Sequence, residues 1–245
     1  MFHVKHLKVV DILKELFSNY NIEISNEQID KFNVYYNLLI KWNEKMNLTT
    51  ITVYEDVIKK HFLDSVLLLK AFSKDSFVAK NIIDVGTGAG FPGIPLAIML
   101  PDSKFTLIDS LNKRIEFLKE VVEILKIENV TLIHGRAEEL GIDPEYRDRY
   151  DICVSRAVAA LPLLLEYCSP FIRKGGVLYM YKSMKVEEEI DCAENALSIL
   201  NCSISNNILL ADDNDYMRYI LEIEKNDSTP DKYPRKPGKA KKKPL

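Results

Sequence analysis

The chain has few of the residues that hold small secreted domains together. Among 245 residues there are four cysteines, Cys153, Cys168, Cys192 and Cys202, far apart and never in C-x-x-C spacing. Without clustered histidines beside them, they argue against a disulfide scaffold and against a zinc site, and no metal is expected. Long apolar runs are missing too. From Met1 to Asn19 the apolar residues are interrupted by Lys, His, Asp and Glu. Neither a signal peptide nor a membrane span is therefore expected, and the reading is a cytoplasmic protein with no membrane partner. In that setting Asn47-Leu48-Thr49 carries no meaning as a glycosylation site. There is no internal repeat. The length allows one domain, or one with a small appendage, and a core large enough to need no staples.

Charge is present but unevenly placed. The net charge is −3, yet Lys232 to Leu245 holds seven basic residues and no acidic one, leaving 26 basic against 36 acidic residues elsewhere. A tail opposite in sign to its body suggests a polyanion partner; the competing reading is a solubilising disordered tail. From Asn226 onward there are too few apolar residues to fold alone.

Periodicity divides the chain. Over residues 4–20, Leu7, Val10, Leu13 and Phe17 fall at helical spacing. Ser25 and Gln28 form a capping box for a second helix, running to about Asn43 with Ile29, Phe32, Tyr36, Leu39 and Ile40 on one stripe. Thr52 and Glu55 suggest another box, opening a third helix with Ile58, Phe62, Val66 and Leu69. After Lys80 strands and helices alternate, the mark of a parallel sheet covered on both faces. Strands are expected at Ile82–Val85, Phe105–Ile108, Val130–Ile133, Tyr150–Val154 and Gly176–Tyr181, then Ile204–Leu210 and Tyr216–Ile223. Helices are expected at Pro92–Met99, Asn112–Ile127 and, acidic, near Val186–Leu200. The fold class is therefore α/β, doubly wound and Rossmann-like, a mostly parallel seven-stranded sheet. An N-terminal helical extension (1–75), a core (76–226) and a basic tail (227–245) make up the chain.

The most informative stretch runs from Ile82 to Ile94: an apolar strand, a turn dense in glycine, and a helix start with Pro92 at its first position. Such a turn lets a ligand lie on bare backbone amides. Gly88-Ala89-Gly90-Phe91-Pro92-Gly93 matches the dinucleotide pattern G-x-G-x-x-G, with Asp109 as the ribose-binding acid. A second reading takes Gly86, Gly88 and Gly90 as the turn, with Asp84 ahead of them. An acid in an apolar strand end needs a donor or cation, which suits an ammonium-bearing ligand better than a pyrophosphate. Here the stretch resembles the D-x-G-x-G-x-G motif of S-adenosylmethionine-dependent methyltransferases. A ligand-free βα turn is the third reading, though it seldom needs three alternate glycines.

Several further stretches are similar to the ribosomal small-subunit methyltransferase G family, also called glucose-inhibited division protein B. They are Trp42-Asn43-Glu44-Lys45-Met46-Asn47-Leu48-Thr49, His61-Phe62-Leu63-Asp64-Ser65, Thr87 to Pro95, Arg136-Ala137-Glu138, Ser155-Arg156-Ala157 and Tyr233 to Gly238. The resemblance runs from about Trp42 to Leu245. It implies a class I methyltransferase fold, S-adenosyl-L-methionine as cofactor, and methylation of N7 of one guanine in 16S ribosomal RNA. The substrate would be the RNA within the small ribosomal subunit or an assembly precursor, with no obligate protein partner. Cofactor contacts by resemblance fall on Gly86, Phe91, Ala137, Glu138 and Arg156, to which the glycine-turn reading adds Asp84, Gly88, Gly90 and Asp109. Where the family carries Lys-Gly after strand five, this chain has Lys182-Ser183.

An N7 acceptor already has a free lone pair, so no catalytic acid or base is assigned, and His61 and His134 read as structural. No cysteine stands beside proline, as a cytosine C5 enzyme would need, and Ser155-Arg156-Ala157-Val158 replaces the Asn-Pro-Pro-aromatic stretch of adenine N6 enzymes. Lys182, Arg235, Lys236, Lys239, Lys241, Lys242 and Lys243 are the expected RNA contacts, positioning phosphates with little sequence readout. A methyltransferase for another RNA, a protein or a small molecule, an NAD-binding oxidoreductase and a non-catalytic RNA-binding protein stay open at this point.

Overall fold

A computed structural model describes residues 12–213 and 216–245. Of the first expected helix, residues 12–18 are seen, with Leu13 and Phe17 fully buried; Leu7 and Val10 lie outside the described residues. The helix Asn26–Asn43 has the expected bounds, and its capping box is formed: Gln28 N donates to Ser25 Oγ at 3.2 Å and Ser25 N to Gln28 Oε1 at 2.9 Å. The box expected at Thr52 and Glu55 is not formed. The next helical run starts at Tyr54 after an uncapped Val53, and the Thr52 carbonyl instead accepts the Tyr36 hydroxyl at 3.0 Å. This run is broken: α over Tyr54–Val57, a π turn over Ile58–Leu63, then α over Asp64–Val66 and Leu68–Ala71. Short π segments often mark functional sites, and this one carries His61.

Seven strands form one sheet: β1 (Asn81–Val85), β2 (Lys104–Asp109), β3 (Val130–His134), β4 (Tyr150–Arg156), β5 (Ile172–Lys182), β6 (Cys202–Asp213) and β7 (Tyr216–Lys225). Their order is β3-β2-β1-β4-β5-β7-β6, with β7 antiparallel to β5 and to β6 and the other pairs parallel. The order reverses between β1 and β4, and a doubly wound sheet binds ligands at the carboxyl ends of such a switch point. Side chains along the buried strands alternate between two cores, as the two-residue period of a strand requires. Ile82 and Val154 face one core, Ile83, Val85 and Cys153 the other. The first core includes the helical N-terminal region: Phe17, Phe32, Tyr35, Phe62, Phe91 and Phe117 belong to one cluster.

The structure departs from expectation in three further places. The acidic helix is two helices, Val186–Asp191 and Glu194–Ile199, and Pro92 sits at the N-cap rather than the first turn of Gly93–Met99. A helix over Leu161–Cys168 was not expected; Leu161, Leu164, Leu165 and Cys168 give it a buried stripe and Pro162 a start signal. The tail packs against the body. Thr229, Tyr233 and Ala240 are buried, and Tyr233 joins the second core. Among the described residues no helix is long and apolar enough to cross a membrane.

Candidate functional site

The turn after β1 is organised from beneath by Asp84. Its carboxylate is inaccessible to solvent, and Oδ2 accepts the Thr87 hydroxyl at 2.7 Å and the Gly93 amide at 2.9 Å. The turn supplies its own donors, so Asp84 does not line the cleft, and its expected direct contact with a ligand is corrected to support of the turn. The other oxygen, Oδ1, is buried without a partner. Burial pushes the Asp84 carboxyl up to about 7, against the lowering effect of the Thr87 and Gly93 hydrogen bonds.

The three alternate glycines do different things. Gly86, Gly88 and Gly90 all have positive φ, at 74°, 63° and 93°. A Cβ on Gly86 would stand 2.6 Å from a Val158 methyl, whereas at Gly88 the nearest atom is the Gly86 carbonyl oxygen at 4.0 Å. Backbone is thus left bare over Gly88 and close under Val158 at Gly86, a cradle of the kind a nucleoside ligand needs. Gly90 faces inward, where a Cβ would meet the Tyr35 hydroxyl at 2.5 Å and Leu118 and Ile94 at 2.8 Å. Its role is packing, and its expected ligand contact is corrected accordingly. The neighbouring Ala89 carbonyl accepts the buried Tyr35 hydroxyl, which ties the helix Asn26–Asn43 to the turn.

Across the turn, Asp109 ends β2. Its Oδ1 accepts the Leu111 amide at 2.9 Å, while Oδ2 accepts the Gly88 amide at 2.9 Å and Arg114 Nη1 at 3.1 Å. Asp109 therefore fixes the glycine turn to β2 and faces a cleft of about 290 Å³. Gly86, Asp109, Ala137 and Glu138 converge on that cleft as expected from sequence, and Glu138 is itself buried. Sequence reading missed the opposite wall, Val158, Leu163, Tyr167 and Lys241. Leu163 and Tyr167 come from the unexpected helix, whose Pro162 and leucine stripe were the available signal. The bare backbone over Gly88 and the acceptor at Asp109 together fit S-adenosylmethionine.

Phe91 and Arg156 lie beside the cleft rather than in its wall. Phe91 is buried, with His61 stacked on it at 4.6 Å and the Arg156 guanidinium 5.1 Å from its ring centre. Arg156, at the end of β4, is held by the fully buried Asp64, which it shares with Arg218 from β7. The Lys60 carbonyl in the π turn also accepts Arg156 Nη1, at 3.3 Å. His61 sits between these groups and Thr49, whose hydroxyl is 2.8 Å from Nε2. Burial first, then the Arg156 charge, lowers the His61 pKa to about 4, so its imidazole is neutral at physiological pH. His134 Nε2 contacts the Ser110 carbonyl at 3.1 Å, a structural role.

Two expected RNA contacts are corrected. Lys182 is buried, its ammonium 2.6 Å from Glu189 and 3.3 Å from the Ala159 carbonyl, because a cation this far from water needs a counterion. Ser183 has no left-handed backbone, so the family's glycine is not needed there. Arg235 is engaged with the fully buried Glu166 through Nε at 2.9 Å and Nη2 at 2.5 Å. Lys236, Lys239, Lys241, Lys242 and Lys243 are exposed.

Comparison with known proteins bears on the family and the fold. The family model for rRNA small subunit methyltransferase G matches residues 28–213. The chain is 47% identical to the ribosomal RNA small subunit methyltransferase G of Acetivibrio thermocellus, covering 98% of both chains. It is 46% identical to the protein of that name from Alkaliphilus oremlandii, covering 98% of this chain and 100% of the other. A solved SAM-dependent methyltransferase from Aquifex aeolicus shares the fold, with TM-score 0.54 and 18% identity over 75% of this chain and 97% of that one. The choice left open by the glycine pattern is thereby made, since a match of this length and identity settles the family: the chain belongs to the rRNA small subunit methyltransferase G family.

Proposed function

We propose that this protein methylates N7 of one guanine in small-subunit ribosomal RNA, using S-adenosyl-L-methionine, and that the RNA is presented within the subunit or an assembly precursor in the cytoplasm. The observation that carries the reading is the cleft above Gly86, bounded by Asp109 and Glu138 at the carboxyl edge of the sheet. When bound, the cofactor supplies an electrophilic methyl group. The chain's own residues bind and orient. Asp109 offers acceptor oxygens for the ribose hydroxyls, Gly86 and Gly88 let the ligand approach the backbone, and Ala137, Leu163 and Tyr167 enclose the adenosine end.

Guanine N7 is a lone-pair acceptor, so no residue has to remove a proton. Positioning is then the main contribution, an effect worth up to about 7–11 kcal/mol. A wider cleft of about 770 Å³ shares Val158, Ala159 and Leu163 with the first and offers room for an unstacked base. An accessible base is required because the major groove of A-form RNA is too narrow for side chains. The test is incubation of undermodified small subunits with the enzyme and methyl-labelled cofactor, followed by mapping of the label. Label at N7 of a single guanine is expected; label elsewhere, or none, overturns the assignment.

A further inference from the structure

The basic tail reads in sequence as an arm for RNA, yet its first half is built into the body. Arg147 Nη1 donates to the carbonyls of Gly141 at 2.8 Å and Tyr233 at 2.9 Å, and Nη2 to that of Thr229 at 2.5 Å. Arg235 clasps Glu166, a residue of the helix Leu161–Cys168. Gly238, at φ 80°, then turns the chain into the short helix Lys239–Lys242. Ala240 of this helix is fully buried, and the helix packs on Leu161–Cys168, the same helix that gives Leu163 and Tyr167 to the cleft. With Ala240 turned inward, Lys241 lines the cleft beside Asp109, Ala137, Glu138 and Tyr167. No hydrogen bond or ion pair engages the Lys241 ammonium among the described residues.

We infer that Lys241 is a cofactor-binding residue, and that the helix Lys239–Lys242 is a wall of the adenosine end of the cleft rather than a free arm. The inference rests on the reading of this cleft as the S-adenosylmethionine site. Adenosine presents acceptor nitrogens and oxygens, and a lysine lining that cleft brings an ammonium with three donors. Residues 239 and 242 leave the helix in other directions, since successive helical positions are about 100° apart, and Lys243 lies beyond its end. Their lysines remain available to phosphate. Cofactor and RNA thus meet on opposite sides of one short helix, and any effect of one on the affinity of the other is reciprocal.

Calorimetric titration of the full-length protein with S-adenosylmethionine and with S-adenosylhomocysteine tests this. Lys241 is exposed, so Lys241→Ala should fold normally, which unchanged thermal melting checks. The expected result is a loss of about tenfold in affinity, the size of a charge-assisted hydrogen bond, and equal for both compounds because the adenosine half is common to them. Lys242→Ala with Lys243→Ala should leave both affinities unchanged and weaken RNA binding. Asp109→Asn is the control for the cleft itself. Unchanged affinity in Lys241→Ala beside a large loss in Asp109→Asn overturns the role of Lys241 alone, as does a change confined to S-adenosylmethionine, since only the sulfonium distinguishes the two compounds. Unchanged affinity in both variants overturns the cleft assignment with it.

Discussion

Replacing Asp64 with asparagine keeps the shape of the side chain and removes a negative charge that two guanidinium groups share. Asp64 is inaccessible to solvent, and the side chains of Arg156 and Arg218 are only 10% and 15% exposed. Oδ2 accepts Arg156 and Oδ1 accepts Arg218. In Asp64→Asn both guanidinium groups lose this buried carboxylate. Breaking a buried ion cluster by removing one partner costs about 3–5 kcal/mol. For a chain of this length each kcal/mol lowers Tm by about 2–4 °C, so a fall of roughly 6–20 °C is expected. Thermal unfolding followed by circular dichroism, with urea midpoints beside it, measures the loss. A second substitution separates charge from shape: adding Arg218→Met removes one of the two guanidinium groups that Asp64 held and should restore part of the stability, giving a coupling energy above about 1 kcal/mol. A Tm within about 2 °C of the unsubstituted protein would show that both arginines reach water when Asp64 is neutral, and the picture of a dry clasp between β4, β7 and the π turn would be wrong.

Two further outcomes follow from the glycine turn. Gly90→Ala should cost about 2–5 kcal/mol, combining the strain of a left-handed backbone with overlap against Leu118, Ile94 and Tyr35, whereas Gly88→Ala, with open space around it, should cost only the backbone part of about 1–2 kcal/mol. Equal shifts of the two urea midpoints would contradict the packing role of Gly90. Asp84 sets a pH dependence whose sign is definite. With its pKa raised from 3.8 to about 7, the folded protein keeps a proton there that the unfolded chain has released, so the contribution is full below about 3.8 and is lost as pH rises towards 7. His61 has the opposite sense, its contribution being present above 6.5 and lost as pH falls towards 4. It is common to both proteins when Asp84→Asn is compared with the parent. The substitution should therefore be more favourable at pH 8 than at pH 5 by melting in cofactor-free buffer, and a difference independent of pH would refute the assignment.

The legible parts of the fold were those written in periodicity. All seven strands stand where alternation and apolar runs put them, although β5, β6 and β7 run longer than those runs, to 11, 12 and 10 residues. The Ser25 box was legible because its two partners are three residues apart. The Thr52 box looked the same in sequence, but Tyr36, sixteen residues away, engages the Thr52 carbonyl. Within the site, Asp109 could be named from its spacing after the glycine turn, and Gly86, Ala137 and Glu138 from the resemblance to the family; each sits at or just beyond a strand end. Asp84, Gly90 and Phe91 share the same motif, yet they face the interior, and spacing alone does not tell the two sides of a tight turn apart.

The residues by themselves determined the order of strands and helices, the glycine turn and the family. Those features depend on local backbone preference and on patterns a few residues long. Tertiary structure alone decided which cations are free. Lys182 and Arg235 look like any other basic residues in sequence, but each lies against a carboxylate brought there by chain distant or folded back upon it, Glu189 and Glu166. Lys241 differs from Lys242 only in the direction that a buried Ala240 forces on one turn of helix. A charge in the sequence has a sign, and only the fold gives it a dielectric environment and a neighbour.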